Sequence, residues 1–227
     1  DIFEIKNYND PSWGINRGHA MELECNYLLM CDNLLDPTHV AWVHAGSFGQ
    51  AATKSAPLRV KKTDDGVIVH RWMLDVEPAP FYKKVVGFKG NCDRLQHYEV
   101  RYPSNALIKA IFTPAGTGGS EGKLHEDVFI MDSYNFMTPV TESKTRYYWF
   151  QLRNIRPDDP ELSQLMTDDV QHAFEEDQNV LNEVQKGMTN KTSPHIDLPI
   201  DAGQLRFRRQ LQAMINEEVQ VDKQMAQ

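Results

Sequence analysis

The chain has 227 residues and a formal charge of −8, from 24 lysines and arginines against 32 aspartates and glutamates. This acidic balance argues against nucleic acid as a partner, because sequence-independent binding needs basic side chains that replace the counterions of the phosphates. The mean hydropathy is −0.54. No run approaches the roughly 18 consecutive apolar residues of a membrane-spanning helix, so a transmembrane protein is excluded. The length suits one large domain at roughly 150 residues per domain.

Cysteine usage indicates a reducing compartment. Cys25, Cys31 and Cys92 are too few, and odd in number, for a secreted disulfide scaffold. We therefore expect a cytoplasmic protein. The first residue is Asp1 rather than methionine, from which we expect a fragment or a processed product.

The first zone of the chain has little periodicity. Residues 1–30 are predicted to be irregular. Residues 32–48 are predicted to form a short helical segment that ends at Gly46 or Gly49. Pro37 must then lie in the first turn of this helix or kink it.

The middle of the chain, residues 57–155, is predicted to be mostly strand. An Asp-Gly turn between alternating apolar residues predicts a hairpin over residues 58–74. Residues 94–113 and 127–155 have the pattern of two further hairpins. Short turns between strands imply an antiparallel sheet. Residues 116–123 are a glycine-rich connector with no helix after it, so the phosphate-binding function of such loops is not expected.

The last zone is helical and completes an α+β fold. From Pro160 to about Met188, apolar residues recur every three or four positions, as one helix face requires. A terminal helix is predicted from Gly203 onward. Strands followed by long helices indicate a curved antiparallel β-sheet with flanking helices in a single domain. The apolar stripe of the long helix consists of Met166, Val170, Ala173, Leu181, Val184 and Met188.

One residue interrupts this apolar stripe. Asp177 lies four residues after Ala173 and four before Leu181, which places a carboxylate on the buried face. An ionised carboxylate without a partner costs several kcal/mol to bury. Asp177 should therefore meet a cation, a strong donor or a metal ion, or else pair with a core arginine or histidine or cap a kink. Glu175 and Glu176 lie off this face and are predicted to be solvated.

Two histidines stand among apolar residues in the segment 33–44. His39 and His44 are five residues apart, a spacing that turns their side chains about 140° apart on an ideal helix. Convergence requires the end of a helix or a π-bulge. Either histidine could instead be a core residue bonded to a backbone carbonyl. Taken with Asp177, the two histidines form the donor set of the facial triad of mononuclear iron(II) oxygenases.

Three separated segments carry a resemblance to a known family. Residues 33–44 (NLLDPTHVAWVH), 138–150 (TPVTESKTRYYWF) and 174–185 (FEEDQNVLNEVQ) resemble the catalytic domain of Rieske non-haem iron oxygenases, in particular the oxygenase component of vanillate O-demethylase and its relatives. Residues 201–218 resemble the end of the same subgroup. The resemblance implies a helix-grip, START-like catalytic domain.

The resemblance also implies roles for individual residues. His39, His44 and Asp177 match the ligands of a mononuclear Fe(II). Asn33 matches an amide close to the iron. Asp36 matches the aspartate that links a Rieske-cluster histidine of one subunit to an iron-ligating histidine of the next. An alternative role for Asp36 is that of a carboxylate at a helix N-terminus.

The activity implied is that of a terminal oxygenase. Such a domain uses Fe(II), O2 and electrons from a Rieske cluster to hydroxylate or O-demethylate an aromatic substrate such as a methoxybenzoate. The implied partners are an NAD(P)H-dependent reductase or ferredoxin, and the implied assembly is a homotrimer. The C-x-H and C-x-x-H pairs that hold a Rieske [2Fe–2S] cluster do not occur here. We therefore expect residues 1–227 to be the iron domain alone, with the cluster in a missing N-terminal domain, and we expect no turnover by this polypeptide alone.

The substrate pocket is predicted on the strands near Leu107–Phe112 and Val128–Met137. A carboxylated substrate would need an arginine, histidine or amide there, and the pattern leaves Arg71, His97, Arg101 and Asn135 as candidates. Two other classes of protein remain open: a zinc hydrolase at the same three residues, and a carrier of hydrophobic ligands without metal. The remaining histidines are expected to be surface or hydrogen-bonding residues: His19, His70, His125, His172 and His195.

Overall fold

A computed structural model describes residues 3–54, 56–192, 194 and 196–225. His195 lies outside these residues. The strands are β1 Gly14–Arg17, β2 Met21–Leu23, β3 Arg59–Lys62, β4 Gly66–Val76, β5 Cys92–Arg101, β6 Asn105–Pro114, β7 Phe129–Thr141 and β8 Lys144–Arg153. The α-helices are α1 Tyr27–Asn33, α2 Pro80–Val85, α3 Pro160–Thr189 and α4 Ala202–Met225. Short 3₁₀ helices cover His39–Ala41, Ala51–Lys54, Gly119–Glu121 and Pro199–Asp201.

One antiparallel sheet of eight strands forms the body of the domain, in the order β1-β8-β7-β6-β5-β4-β3, with β2 also paired to β8. The three predicted hairpins are confirmed as β3–β4, β5–β6 and β7–β8. The α+β fold is confirmed as well, since helices flank this sheet. In the 116–123 connector, Gly118 and Gly122 adopt φ values of 85° and 83°, which residues other than glycine rarely adopt.

The inner face of the sheet packs against the helices. The register pairs Arg94 with Phe112 and Ser133 with Gln151 across neighbouring strands. Because side chains alternate between the faces of a strand, these registers assign faces to the residues of the regularly paired segments. The inner face carries polar side chains that are less than 9% exposed, among them Asn16, Arg71, Arg94, Gln96, Ser133, Asn135, Gln151 and Arg153.

Helix α3 crosses this inner face. Asp159 caps its N-terminus by accepting a hydrogen bond from the backbone N–H of Leu162. The predicted stripe is confirmed from Met166 to Leu181, all of whose stripe positions are buried. Val184 and Met188 are 40% and 44% exposed. The last two turns of α3 therefore pass beyond the cover of the sheet.

Two predictions for the first zone are wrong. Residues 1–30 contain β1, β2 and the start of α1, and the two strands form because β8 supplies backbone partners that a local pattern does not reveal. The predicted helix over 32–48 does not form. Helix α1 ends at Asn33, and only His39–Ala41 is helical beyond it, as a 3₁₀ turn. Asn26 sets the start of α1, since its side chain accepts from the N–H of Leu28.

Helix α4 closes the end of the domain near β3 and β4. Phe207 is fully buried and stacks on Tyr102 with ring centroids 5.0 Å apart. Gly203 allows α4 to approach β4 closely, because a Cβ at this position would lie 2.4 Å from Cγ2 of Val69. The terminal helix predicted from the sequence is confirmed as α4. It packs against the sheet through a few buried residues.

All three cysteines are free and buried. Burial raises the pKa of the Cys25 thiol to about 11 and that of the Cys92 thiol to about 11. Thiols held in the neutral form are poor metal ligands. Among the helices of the described residues, none has the length and apolar character needed to cross a bilayer.

Candidate metal centre

The segment after α1 and the middle of α3 bring together three potential ligands. Donor atoms of His39, His44 and Asp177 all lie within 4.8 Å of one another. Oδ1 of Asp177 lies 3.6 Å from Nε2 of His39 and 3.1 Å from Nε2 of His44. The carboxylate on the buried face of α3 thus meets two imidazoles.

The two histidines converge because the chain leaves helical geometry between them. His39 begins the 3₁₀ turn His39–Ala41, and Trp42, with φ −118°, is its C-cap residue. The carbonyl of His44 then accepts from the N–H groups of Ser47, Phe48 and Gly49. The imidazole rings meet edge to face, with centroids 5.2 Å apart and planes inclined by 77°. Of the two geometries that would let the two histidine side chains converge, a helix end or a π-bulge, the structure therefore has the helix end.

Each imidazole is oriented through its second nitrogen. Nδ1 of His39 donates to the carbonyl of Asp36, which leaves Nε2 as the ring nitrogen available to a metal ion. Nδ1 of His44 lies 2.7 Å from Oε2 of Glu176. Hydrogen bonds of this kind fix ring orientation and tautomer in metal sites and raise ligand basicity.

The position of Glu176 corrects the sequence prediction that it is solvated. Its side chain is 32% exposed and is bonded to His44. Glu175, the other residue predicted to be solvated, is exposed. The helical rotation placed Glu176 off the buried face correctly, but His44 reaches the edge of α3 at that point.

The charges at the site favour an ionised carboxylate. Burial alone would raise the pKa of Asp177, but the hydrogen bond from His44 and the charge of His39 outweigh burial and lower it. Burial would lower the pKa of His44, but Asp177 and Glu176 raise it. A metal ion competes with the proton for Nε2 of His44, so metal binding would release that proton.

Asn33 lies at the end of α1 beside these residues. Its Nδ2 donates to Oδ1 of Asp177 over 2.9 Å. Its Oδ1 is buried and has no hydrogen-bond partner among the described residues. An unpartnered buried carbonyl oxygen is costly, so the amide offers an acceptor to a group bound at the site.

Asp36 lies at the outer edge of the site and is half-buried. Its Oδ1 accepts from the N–H of Thr38 at 2.8 Å and also from the Thr38 hydroxyl. This local turn agrees with the alternative role of a carboxylate at a helix start. Through its carbonyl, Asp36 also contacts His39.

The donor set fits a divalent transition metal. Two ligand atoms each roughly 2.1 Å from one ion lie roughly 3.0 Å apart at a right angle, close to the separations between Asp177 and the two histidines. Two imidazoles and one carboxylate are the set found with iron(II), and also suit zinc. The unpartnered oxygen of Asn33 leaves a further polar atom beside such an ion.

A cavity of about 80 Å³ lies between the three donors and the inner face of the sheet. One water needs roughly 10–15 Å³ on this measure, so the cavity holds several atoms. Both strand segments predicted to line the pocket contribute: Ile108 from β6, and Met131 and Ser133 from β7. Other walls are largely apolar and include Leu34, Val40, Phe48, Val170, Ala173 and Phe174.

The structure separates the four candidates for an anion-binding residue. Arg71 and Asn135 lie on the inner face, and His97 and Arg101 lie on the outer face, according to the strand registers. None of the four lines the cavity. Its polar lining from the sheet comes from residues that the sequence analysis did not single out: Arg94, Tyr98, Ser133 and Gln151. The strand registers of the predicted hairpins could have shown which residues face the cavity. However, both faces of β5 carry apolar residues, so the alternation of apolar and polar residues did not identify the inner face.

We expect Glu176→Ala to weaken iron(II) binding by roughly 10- to 100-fold, because loss of the carboxylate frees the His44 ring and lowers its basicity. Anaerobic titration with a competing chelator measures the affinity. Glu175→Ala, the exposed neighbour on the same helix, is the control and should bind as the unaltered chain does. Unchanged affinity in Glu176→Ala would show that the contact does not support His44.

The chain belongs to a family of oxygenase domains. Residues 23–217 match the family described as the vanillate O-demethylase oxygenase C-terminal domain. The chain is 30% identical over 207 residues to the iron-sulfur subunit of the toluene-4-sulfonate monooxygenase system of Comamonas testosteroni, covering 89% of the chain and 59% of that protein. It is 31% identical over 216 residues to a vanillate O-demethylase oxygenase subunit from a Pseudomonas species, covering 92% and 60%.

Solved structures confirm the fold. Dicamba monooxygenase bound to 3,6-dichlorosalicylic acid superimposes with a TM-score of 0.86 at 21% identity, covering 96% of this chain and 64% of that one. Together with the family match and the vanillate O-demethylase relatives, this likeness confirms the resemblance to Rieske oxygenase catalytic domains seen in the sequence. The chain spans about three fifths of the length of the curated relatives that it matches.

Proposed function

We propose that this chain is the catalytic domain of a Rieske-type oxygenase and binds Fe(II) through His39, His44 and Asp177. The observation that carries the proposal is the convergence of these three donors at one cavity. The contacts of Nδ1 of His39 and Nδ1 of His44 support it, because they turn both Nε2 atoms toward Asp177.

The proposal assigns the chemistry of oxygen to the metal and positioning to the protein. Bound iron(II), supplied with electrons, would activate O2 for attack on a C–H bond. Three protein ligands on one face leave other positions open for small molecules. The apolar walls exclude water and hold the substrate carbon near the donors. Asn33 contributes by orienting Asp177 through its amide.

The proposed substrate is an aromatic compound such as a methoxybenzoate, which would be O-demethylated or hydroxylated. Two similar proteins are named for vanillate and for toluene-4-sulfonate, and both compounds are aryl anions. The largely apolar cavity with a few polar groups suits a small aromatic ring.

Electrons would come from a Rieske [2Fe–2S] cluster in a domain outside residues 1–227, fed by an NAD(P)H-dependent reductase or a ferredoxin. The relatives are oxygenase or iron-sulfur subunits of multicomponent systems. The burial and raised thiol pKa values of Cys25 and Cys92 fit a cluster held elsewhere. We propose that Asp36 links a Rieske-cluster histidine of one subunit to an iron-ligating histidine of the next, so that electrons from the cluster would cross the interface of a homotrimer to the iron. The backbone carbonyl of Asp36 bonds to Nδ1 of His39, and this places Asp36 beside one of the proposed iron ligands, as the role requires.

Metal content tests the proposal. Anaerobic loading of the whole chain with iron(II), followed by removal of loose metal and elemental analysis, is expected to leave about one iron per chain, as one facial triad holds one ion. Exclusive retention of zinc under competition would favour the hydrolase class. A folded chain that retains neither metal would favour a ligand carrier, and both outcomes would contradict an iron oxygenase.

A further inference from the structure

The cavity at the candidate metal centre also contains a buried arginine. Arg94 extends from β5 on the inner face of the sheet and is 2% exposed. It lines the same cavity as His39, His44 and Asp177. The three potential ligands come from the helical side of the cavity, and Arg94 comes from the sheet.

The groups around the guanidinium of Arg94 are electrically neutral. Nη1 donates to the carbonyl of Phe48 at 3.3 Å and to Oε1 of Gln50 at 2.6 Å. The guanidinium carbon lies 4.8 Å from the ring centroid of Tyr82 and 5.2 Å from that of Phe112. Burial raises the pKa of Tyr82, and the charge of Arg94 and a hydrogen bond between the two side chains offset only part of that rise, so this phenol supplies no negative charge.

Arg94 has no anionic partner among the described residues. Its Nε is buried without a hydrogen-bond acceptor, and so is Nε2 of Gln50. The neighbouring carboxylate of Asp93 accepts instead from the N–H groups of Asp75 and Gly116. An arginine at this burial normally has a carboxylate partner, because an unpaired buried charge costs several kcal/mol.

The surroundings increase the need for a negative charge. Burial and the charge of Arg94 lower the pKa of Arg71, which lies on the same inner face. Asp177 is the one carboxylate among the residues that line the cavity, and it is engaged by His44 and Asn33. A divalent cation at the three donors would neutralise Asp177 and leave the cavity with net positive charge.

We propose that Arg94 is the specificity-determining residue that binds the anionic group, carboxylate or sulfonate, of an aromatic substrate. This inference rests on the proposed oxygenase function and identifies the residue that recognises the anionic group of its substrate. The planar guanidinium forms strong charge-assisted bonds with such oxyanions. Because the anion binds at the sheet and the potential metal ligands lie on the helical side, Arg94 also directs the opposite end of the substrate toward the metal.

Three ligands with the same methoxyphenyl ring and different head groups test the role of charge. Binding of 4-methoxybenzoate, 4-methoxybenzamide and 4-methoxybenzenesulfonate to the iron-loaded whole chain is measured anaerobically by calorimetry. We expect the anions to bind at least roughly tenfold more tightly than the amide. In Arg94→Met, anion affinity should fall by roughly 10- to 100-fold, which is the value of a hydrogen bond to a charged group, and amide affinity by less than roughly threefold.

Two further variants serve as controls for the effect of Arg94→Met. Arg101→Met removes the same charge from the outer face of β5 and should leave all three affinities unchanged. Arg94→Lys keeps the charge and should retain much of the preference for anions. If Arg94→Met does not fold, the ligand preferences of the unaltered chain and of Arg94→Lys decide. If Arg94→Met loses affinity for only one of the two anions, the proposal holds for that anion alone.

Equal affinity for anions and amide in the unaltered chain would overturn the assignment of Arg94. An equal loss for all three ligands in Arg94→Met, or the same loss in Arg101→Met, would do so as well. Iron content measured on the same samples separates this failure from failure of the proposed function. Full iron without charge preference contradicts only the role of Arg94, whereas charge-dependent binding without iron contradicts only the oxygenase.

Discussion

Asp177→Ala is expected to reduce the iron content of the loaded protein from about one atom per chain to near zero, because two imidazoles alone make a weak site for iron(II). The carboxylate is the group that both histidines face, at 3.6 and 3.1 Å. Its removal also ends the contact that orients Asn33. Elemental analysis after anaerobic loading, with circular dichroism on the same samples, measures the effect.

Three further variants make the result for Asp177 specific. Glu175→Ala, two residues away on the exposed side of α3, should keep its iron. Asp177→Asn retains the shape of the side chain but not its charge and should lose iron as Asp177→Ala does. Asp177→Leu fills the position with an apolar group and should give a folded chain without metal. Retention of iron in any of the three Asp177 variants would show that the ligands lie elsewhere.

Phe207→Ala is expected to destabilise the domain by about 3–5 kcal/mol, the usual cost of deleting a fully buried phenylalanine ring. Phe207 is fully buried and stacks on Tyr102, so its removal leaves a cavity between α4 and the sheet. Urea unfolding followed by circular dichroism gives the change in the free energy of unfolding. The effect on iron content should be small, because Phe207 is not among the residues that line the candidate metal centre.

An exposed residue of the same helix provides the control for Phe207. Arg209 is exposed, and Arg209→Ala should change stability by no more than about 0.5 kcal/mol. A loss below about 1 kcal/mol in Phe207→Ala would contradict the view that this ring anchors α4. The close approach of Gly203 to Val69 would then be the stronger contact between helix and sheet.

Local sequence patterns predicted the elements whose stability comes from nearby residues. The Asp-Gly turn and the alternating strands specified the hairpins, and the three-to-four spacing specified α3, because both signals repeat within a few residues. The same patterns failed in the first 50 residues. There β1 and β2 form by pairing with β8, more than 120 positions later in the chain.

In the candidate site too, some features could be predicted from local sequence patterns and others could not. Asp177 was identifiable because a charged residue interrupts a periodic apolar face, and that anomaly is visible along one helix. The contact of Glu176 with His44 joins residues 132 positions apart, and no local period encodes it. The five-residue spacing could not show whether His39 and His44 converge. They do so because the chain leaves helical geometry between them.

The fold class, the family and the three potential metal ligands could be predicted from the order of the amino acids alone. Periodicity, turn chemistry and the composition of short segments are local properties that one chain displays directly. The three-dimensional structure was needed to show which polar side chains face the cavity. It shows that Arg94 lines the cavity and that Arg71, His97, Arg101 and Asn135 do not. The physical reason is register: a shift of one residue moves a side chain to the other face of a sheet, and pairing with neighbouring strands sets that register.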